Sequence, residues 1–305
     1  MVMHKSNSVH DNAVRVLVDS MDQGIHELEW HGFPVRLIKQ PWGELLISLH
    51  GAQVLHFQPI GEHPILWLTS QPKSSPSAIR GGVPLCWPWF GKHPEDEALP
   101  AHGVARTDQW QLIGELVSES GGCWILAPEE NLWSDLSLSI CIIVDHGRLT
   151  VRMTTENIGQ NSHSVSQALH SYFAISSLGQ AEIRGLAGCL YIDKLQAITG
   201  FELDTPFFIT QETDRIYSHN KGVLLVDHGW QRVLSIIKQC SGSTVVWNPG
   251  AAAKQLVDVG LSQVDDFVCV EAARIAPFDN IILPVGESVN FETTISLAPY
   301  EPAQP

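Results

Sequence analysis

The sequence predicts an all-β chain, folded as a large antiparallel sandwich with a few short helices. Three observations carry this. Apolar residues recur at alternate positions, most cleanly at Leu136, Leu138, Ile140, Ile142 and Val144, and a period of two puts one face of a strand against a core. Turn residues punctuate these segments at short intervals, drawing on 24 glycines and 18 prolines. Helical periodicity is nearly absent past the first thirty residues, and many short strands with few helices suit a sandwich or barrel.

Residues 1–12 read as a loose polar start. Ala13, Val14, Leu17, Val18 and Met21 fall at helical spacing and predict a short helix that ends near Gly24. Residues 1–30 are expected to form an N-terminal extension carrying that helix, and residues 31–305 a single sandwich domain. No internal repeat, low-complexity tract or linker divides the chain. Leu45, Ile47 and Leu49 begin a strand that Val54 to Phe57 resumes after Gly51, before Pro59, Gly61 and Pro64 break it.

From Ala78 to Trp110 the density of Gly and Pro predicts a long irregular loop. It holds Arg80, Arg106, His93, His102 and the run Trp87, Trp89, Phe90. Cations, imidazoles and indole faces are what a polar, ring-shaped ligand needs. A surface loop stapled by aromatics is the plainer reading of the same residues. Leu136–Val144 then turns through Asp145-His146-Gly147-Arg148 into Leu149, Val151 and Met153, the clearest hairpin in the chain. A second turn at Ser241-Gly242-Ser243 separates VLSIIKQC from TVVWN, and SVNFETTISL is a last strand.

The chain carries 33 acidic against 18 basic residues, a formal net charge of −15. That balance disfavours nucleic acid, whose phosphates need clustered Lys and Arg, and an anionic membrane surface. An anionic small substrate needs a local basic pocket, which makes Arg80 and Arg106 more informative. Six scattered cysteines without a CxxC pair read as buried free thiols of a reducing cytosol. With no secretory signal pattern and no long apolar run, a cytoplasmic location is expected.

His170 lies in SQALHSYFAI, either as a core histidine with a satisfied ring or as a general acid or base, since imidazole changes charge near neutral pH. Glu271 closes the apolar run of DDFVCVEAARIAP and is read as a strand-end carboxylate, facing water or poised as a base. Asp214 adjoins Arg215, and a local ion pair would account for it. No HExxH, CxxC or paired histidine spacing marks a metal site, and no glycine-rich nucleotide loop or GxSxG elbow occurs. Neither a metal nor a cofactor is expected.

The ordered set IRGGVPLCWPWFG, AHGVARTDQW, ALHSYF, DRIY, VWNPG and FVCVEA resembles the glucose-6-phosphate 1-epimerases, hexose-6-phosphate mutarotases of the aldose 1-epimerase superfamily, over roughly residues 30–298. The resemblance implies a galactose mutarotase-like supersandwich, no cofactor, His170 as general acid and Glu271 as general base. It also implies that Arg80, His102, Arg106 and Asp214 line the sugar-phosphate site. Ala101 departs from the pattern, standing where members often carry a substrate-contacting Gln.

The expected reaction is interconversion of the α and β anomers of a hexose 6-phosphate, with glucose 6-phosphate the expected substrate. Glu271 would take the C1 hydroxyl proton while His170 protonates the ring oxygen O5. Arg80 and Arg106 are the preferred phosphate ligands, since guanidinium donates bidentately to phosphate oxygens; Lys92 and Lys254 are weaker candidates. Trp87, Trp89 or Trp247 could offer a flat face to the sugar. The expected partner is this small sugar phosphate alone, bound by a monomer, with neither nucleic acid nor membrane. Two alternatives remain: a mutarotase for unphosphorylated aldoses, and a non-catalytic carbohydrate-binding protein of the same fold.

Overall fold

The computed structural model describes residues 12–301. Its described part is built almost wholly of antiparallel strands, as the alternation predicts, in a nine-stranded and an eight-stranded sheet, a four-stranded sheet and a two-stranded ribbon. Among the described residues no helix is long and apolar enough to cross a membrane.

The helix Asn12–Asp19 lies where the helical spacing put it. Val14 and Val18 are buried on the four-stranded sheet among Phe33, Leu37, Leu46 and Leu55. The other face of the same sheet, through Leu45, Ile47, Val54 and Phe57, joins the main core. Burial on both faces explains why the alternation from Leu45 onward is blurred. Gly43–Ser48 and Gln53–Pro59 are two paired strands rather than one resumed strand, with a bulge between Leu46 and Ile47.

The main core fills the space between the two large sheets. The hairpin Leu136–Asp145 and Arg148–Asn157 alternates buried and half-buried positions along nearly its full length. Its two-residue turn places His146 at φ 46° and Gly147 at φ 74°, the left-handed pair that matches the twist of the flanking strands. The Ser241–Ser243 turn has a different job. The strand before it, Arg232–Gln239, belongs to the nine-stranded sheet and the strand after it, Ser243–Asn248, to the eight-stranded sheet, so the turn carries the chain from one layer to the other. The buried Lys238 ammonium pins this crossing by donating to the carbonyls of His219 and Ser243 at 2.8 and 3.0 Å.

Among the described residues the segment between Gln53–Pro59 and Trp110–Val117 is largely irregular, as its Gly and Pro content predicts, with one short strand at Leu85–Cys86 and a 3-10 turn at Ala105–Thr107. All six cysteines are free, but only Cys86 and Cys269 are fully buried and Cys240 is exposed.

Candidate active site

Strand register on the eight-stranded sheet writes the site in two rows. Asp214 on Thr213–Ser218 pairs with Trp247 on Ser243–Asn248, Trp247 with Cys269 on Phe267–Arg274, and Cys269 with Tyr172 on Tyr172–Ala174. In the next row, Ile216 pairs with Val245 and Val245 with Glu271. Residues opposite one another, or two apart on a strand, share a face. The intervening residues Val246, Val270 and Ala272 turn the other way, into the main core.

His170 completes the second row. It sits between the strands Gln167–Leu169 and Tyr172–Ala174, with Leu169 paired to Ala272 and Tyr172 to Cys269, so the flanking register places it opposite Glu271. The His170 amide donates to the Pro84 carbonyl at 3.0 Å, continuing the register in which Gln167–Leu169 pairs with Leu85–Cys86. His170 Nδ1 lies 3.3 Å from Glu271 Oε1. His170 is 8% exposed and Glu271 1%, and neither Nδ1 nor either carboxylate oxygen has an aligned hydrogen-bond partner in the protein. Glu271 therefore stands in mid-strand. It is not a strand-end group facing water, because Ala272, Ala273 and Arg274 continue the ladder against Gln167–Leu169.

Burial first, and then the nearby Asp214 charge, push the Glu271 carboxyl well above its usual range, against the pull of Lys194 and Arg106. Burial, reinforced by His102, Arg106 and Arg80, holds the His170 imidazole well below its ordinary value. Both shifts favour the uncharged forms, with the dissociable proton on the carboxyl rather than on the imidazole.

The surrounding groups are fixed by identifiable contacts. The Tyr172 ring stacks on His170, with centroids 4.8 Å apart and planes 8° from parallel. The Tyr172 hydroxyl accepts from Arg80 Nη1 at 3.1 Å, and Arg80 Nε forms an ion pair with the buried Asp258 at 2.9 Å. Arg80 is thus tied to the protein through two of its nitrogens. Arg106 is half-buried, and its Nη2 donates to the Ala101 carbonyl at 2.8 Å. Asp214 pairs with Lys194 at 2.9 Å, whereas its neighbour Arg215 pairs with Asp193 and Glu202. Adjacent strand residues face opposite sides, which rules out the local Asp214–Arg215 pair.

His102 reaches the site from the irregular segment, its ring 5.8 Å from that of His170 and its Nδ1 3.4 Å from Cys86 Sγ. Burial first, then Arg106, Lys194 and Arg80, lower its pKa to about 3, so it is a neutral ring in the fold. Its placement depends on two left-handed residues in succession, His102 at φ 68° and Gly103 at φ 76°. A Cβ on Gly103 would stand 1.8 Å from the Trp87 carbonyl oxygen, so only glycine lets the two backbones approach.

Of the three tryptophans considered for the sugar face, Trp87 is spent in the core, donating to Thr155 Oγ1 at 2.9 Å. Trp89 is buried and donates to the Pro100 carbonyl. Trp247 remains half-buried, edge-on to His170 at 5.9 Å. A cavity of about 980 Å³, lined by Trp89, His93, His102, Trp133, His163 and Lys194, meets the site through His102 and Lys194, while neither His170 nor Glu271 lines it. Lys92 also lines it, while Lys254 is exposed on another segment. The sequence reading missed Lys194, Tyr172 and Asp258. Tyr172 follows His170 by two residues, which strand alternation could have flagged; the other two carry no signal.

The whole chain is similar to known proteins. The aldose 1-epimerase family model matches residues 36–296. A protein of Escherichia coli K12, provisionally named a glucose-6-phosphate 1-epimerase, is 31% identical over 249 residues, 78% of this chain and 82% of that one. A similarly named protein of the grass Cenchrus ciliaris is 28% identical, covering 83% and 81%. Among solved structures, a provisionally named mutarotase of Salmonella typhimurium superposes with a TM-score of 0.85 over 94% of this chain and 99% of that one, at 24% identity. A galactose mutarotase-like protein of Clostridium acetobutylicum gives 0.69 over 91% and 99%, at 11% identity. The fold is therefore the galactose mutarotase-like sandwich; the chain belongs to the aldose 1-epimerase family, and it is an isomerase of the sugar mutarotase type.

Proposed function

We propose that the protein interconverts the α and β anomers of a hexose 6-phosphate, with glucose 6-phosphate as the expected substrate. The observation that carries this reading is the buried His170–Glu271 pair, 3.3 Å apart, in a site that Arg106, Lys194 and Arg80 make locally cationic in a chain of net charge −15.

Ring opening needs a base at the C1 hydroxyl and an acid at O5. The sugar hydroxyl donates to Glu271, which favours the carboxylate, and the proton that Glu271 carried then resides on His170. Glu271 takes the C1 hydroxyl proton, His170 gives its proton to O5, and the C1–O5 bond breaks to leave an aldehyde. Rotation about C1–C2 turns the other carbonyl face to O5. Reclosure returns the proton from O5 to His170 and from Glu271 to O1, so both groups are regenerated. Tyr172 holds the His170 ring by stacking, and Asp214 with Lys194 offers an acceptor and a donor to ring hydroxyls. His102, neutral, can bond O5 or a neighbouring hydroxyl. Arg106 is the preferred phosphate ligand, with Lys194 and Lys92 toward the cavity.

A second reading, an unphosphorylated-aldose mutarotase, gains support from one observation. Arg80 is already committed to Asp258 and Tyr172. Polarimetric equilibration of freshly dissolved α-glucose 6-phosphate and α-glucose separates the two. A larger kcat/KM for the phosphate ester supports the first reading; equal or reversed values support the second.

A further inference from the structure

Cys269 has no part in the acid–base chemistry. Cys269 stands in the same strand face as Glu271, two residues before it, and pairs across the sheet with Tyr172. One ring nitrogen of His170, Cys269 Sγ and a carboxylate oxygen of Glu271 all lie within 4.8 Å of one another. Their convergence follows from register: two donors two apart on Phe267–Arg274 and the third opposite Glu271 on the neighbouring strand line.

We propose that His170, Cys269 and Glu271 form a binding site for a thiophilic divalent cation of the zinc class, seated where the sugar's reacting centre would lie. Nitrogen, thiolate sulfur and carboxylate oxygen are the donors such ions take. Metal–donor bonds of about 2.0–2.3 Å put tetrahedral ligand atoms about 3.3–3.8 Å apart, so small side-chain movements close the set. His170 Nδ1 and both Glu271 oxygens are buried and have no aligned partner in the protein, so metal coordination breaks no existing hydrogen bond of theirs.

Binding exchanges one divalent cation for two protons, one from Cys269 Sγ and one from the Glu271 carboxyl, while His170 supplies a lone pair. The exchange leaves the net charge of the site unchanged, so Arg80, Arg106 and Lys194 do not exclude the ion by their sign, and Asp214 favours it. The ion would occupy both proton-transferring groups at once. That consequence for activity rests on the acid–base reading above; the binding itself does not.

The test is calorimetric titration of Zn²⁺ into wild type, Cys269→Ala and Cys141→Ala, in a buffer that does not chelate. Cys269→Val, which restores most of the side-chain volume, repeats the measurement if alanine destabilises the core. Wild type and Cys141→Ala are expected to share one equivalent that both Cys269 variants bind at least about a hundredfold more weakly, since loss of even a supporting group outside the ligand set costs about 10–100-fold. Wild-type stoichiometry and affinity in the Cys269 variants would overturn the proposal. Mutarotation is followed in parallel. Zinc inhibition in wild type that is relieved in the Cys269 variants supports site and consequence together. A Cys269-dependent equivalent that leaves anomer exchange untouched keeps the cation site and removes His170 and Glu271 from the chemistry.

Discussion

Tyr172 lies flat against His170 while its hydroxyl is held by Arg80, and Arg80 is held in turn by the buried Asp258. This chain of contacts gives Arg80 a structural load that Arg106 does not share, and the two arginines should respond differently to removal.

Arg80→Ala leaves the buried Asp258 carboxylate with only Lys73, at 3.8 Å, as a cationic partner. Removing one member of a buried ion pair costs about 3–5 kcal/mol; because Arg80 is partly exposed, the lower end of that range is expected. A drop in thermal midpoint, with turnover lost for phosphorylated and neutral sugar alike, is the expected result. Wild-type stability would show that the Asp258 contact contributes little.

Arg106→Ala should keep the fold and weaken glucose 6-phosphate far more than glucose. A charged hydrogen bond contributes about 1.5–3 kcal/mol, or about ten- to a hundredfold in affinity. Initial mutarotation rates against concentration for both sugars decide it. Equal losses would assign Arg106 to the ring or to the Ala101 loop.

The pH dependence follows from the opposed shifts of the pair. Activity requires one proton shared between His170 and Glu271. A second proton arrives only below the depressed His170 value, and the single proton leaves only above the raised Glu271 value. The acid limb of kcat/KM should therefore lie well below 6.5. An acid limb centred at the ordinary histidine value would mean that His170 is solvated and normal.

Stability carries the same sign on the acid side. His102 has a folded pKa of about 3 against an ordinary 6.5, so its contribution is complete above 6.5 and is lost as pH falls toward 3. His102→Asn should flatten the decline of the thermal midpoint over that window. An unchanged slope would place the acid sensitivity elsewhere.

Much of this was legible in the residues, and the reasons differ by element. Leu136–Val144 alternates because one face meets the core and the other lies against partly exposed neighbours, so the hairpin could be read directly. Glu271 could be singled out as a carboxylate in an apolar run, but not as mid-strand, because Ala272 and Ala273 are small and give no strand signal while still pairing. The partnership of His170 with Glu271 is a matter of register between segments a hundred residues apart, which no local pattern encodes. The ion-pair partner of Asp214 has no local signal, because Lys194 lies on a neighbouring strand connection, twenty residues away. Asp258 sits in an irregular stretch with no periodicity to mark it.

The proposed chemistry turns on Glu271 as the base of a buried acid–base pair. Glu271→Gln keeps the shape of the side chain and cannot take a proton. The direct measurement is α/β exchange of glucose 6-phosphate at equilibrium, followed by magnetisation transfer between the two anomeric protons, with wild type and Glu271→Gln at equal concentration. Catalysed exchange is expected in wild type and a fall of about 10²–10⁴-fold in the variant, with an unchanged thermal midpoint or a raised one, since the amide removes a buried acid. Exchange in Glu271→Gln at the wild-type rate would contradict that role.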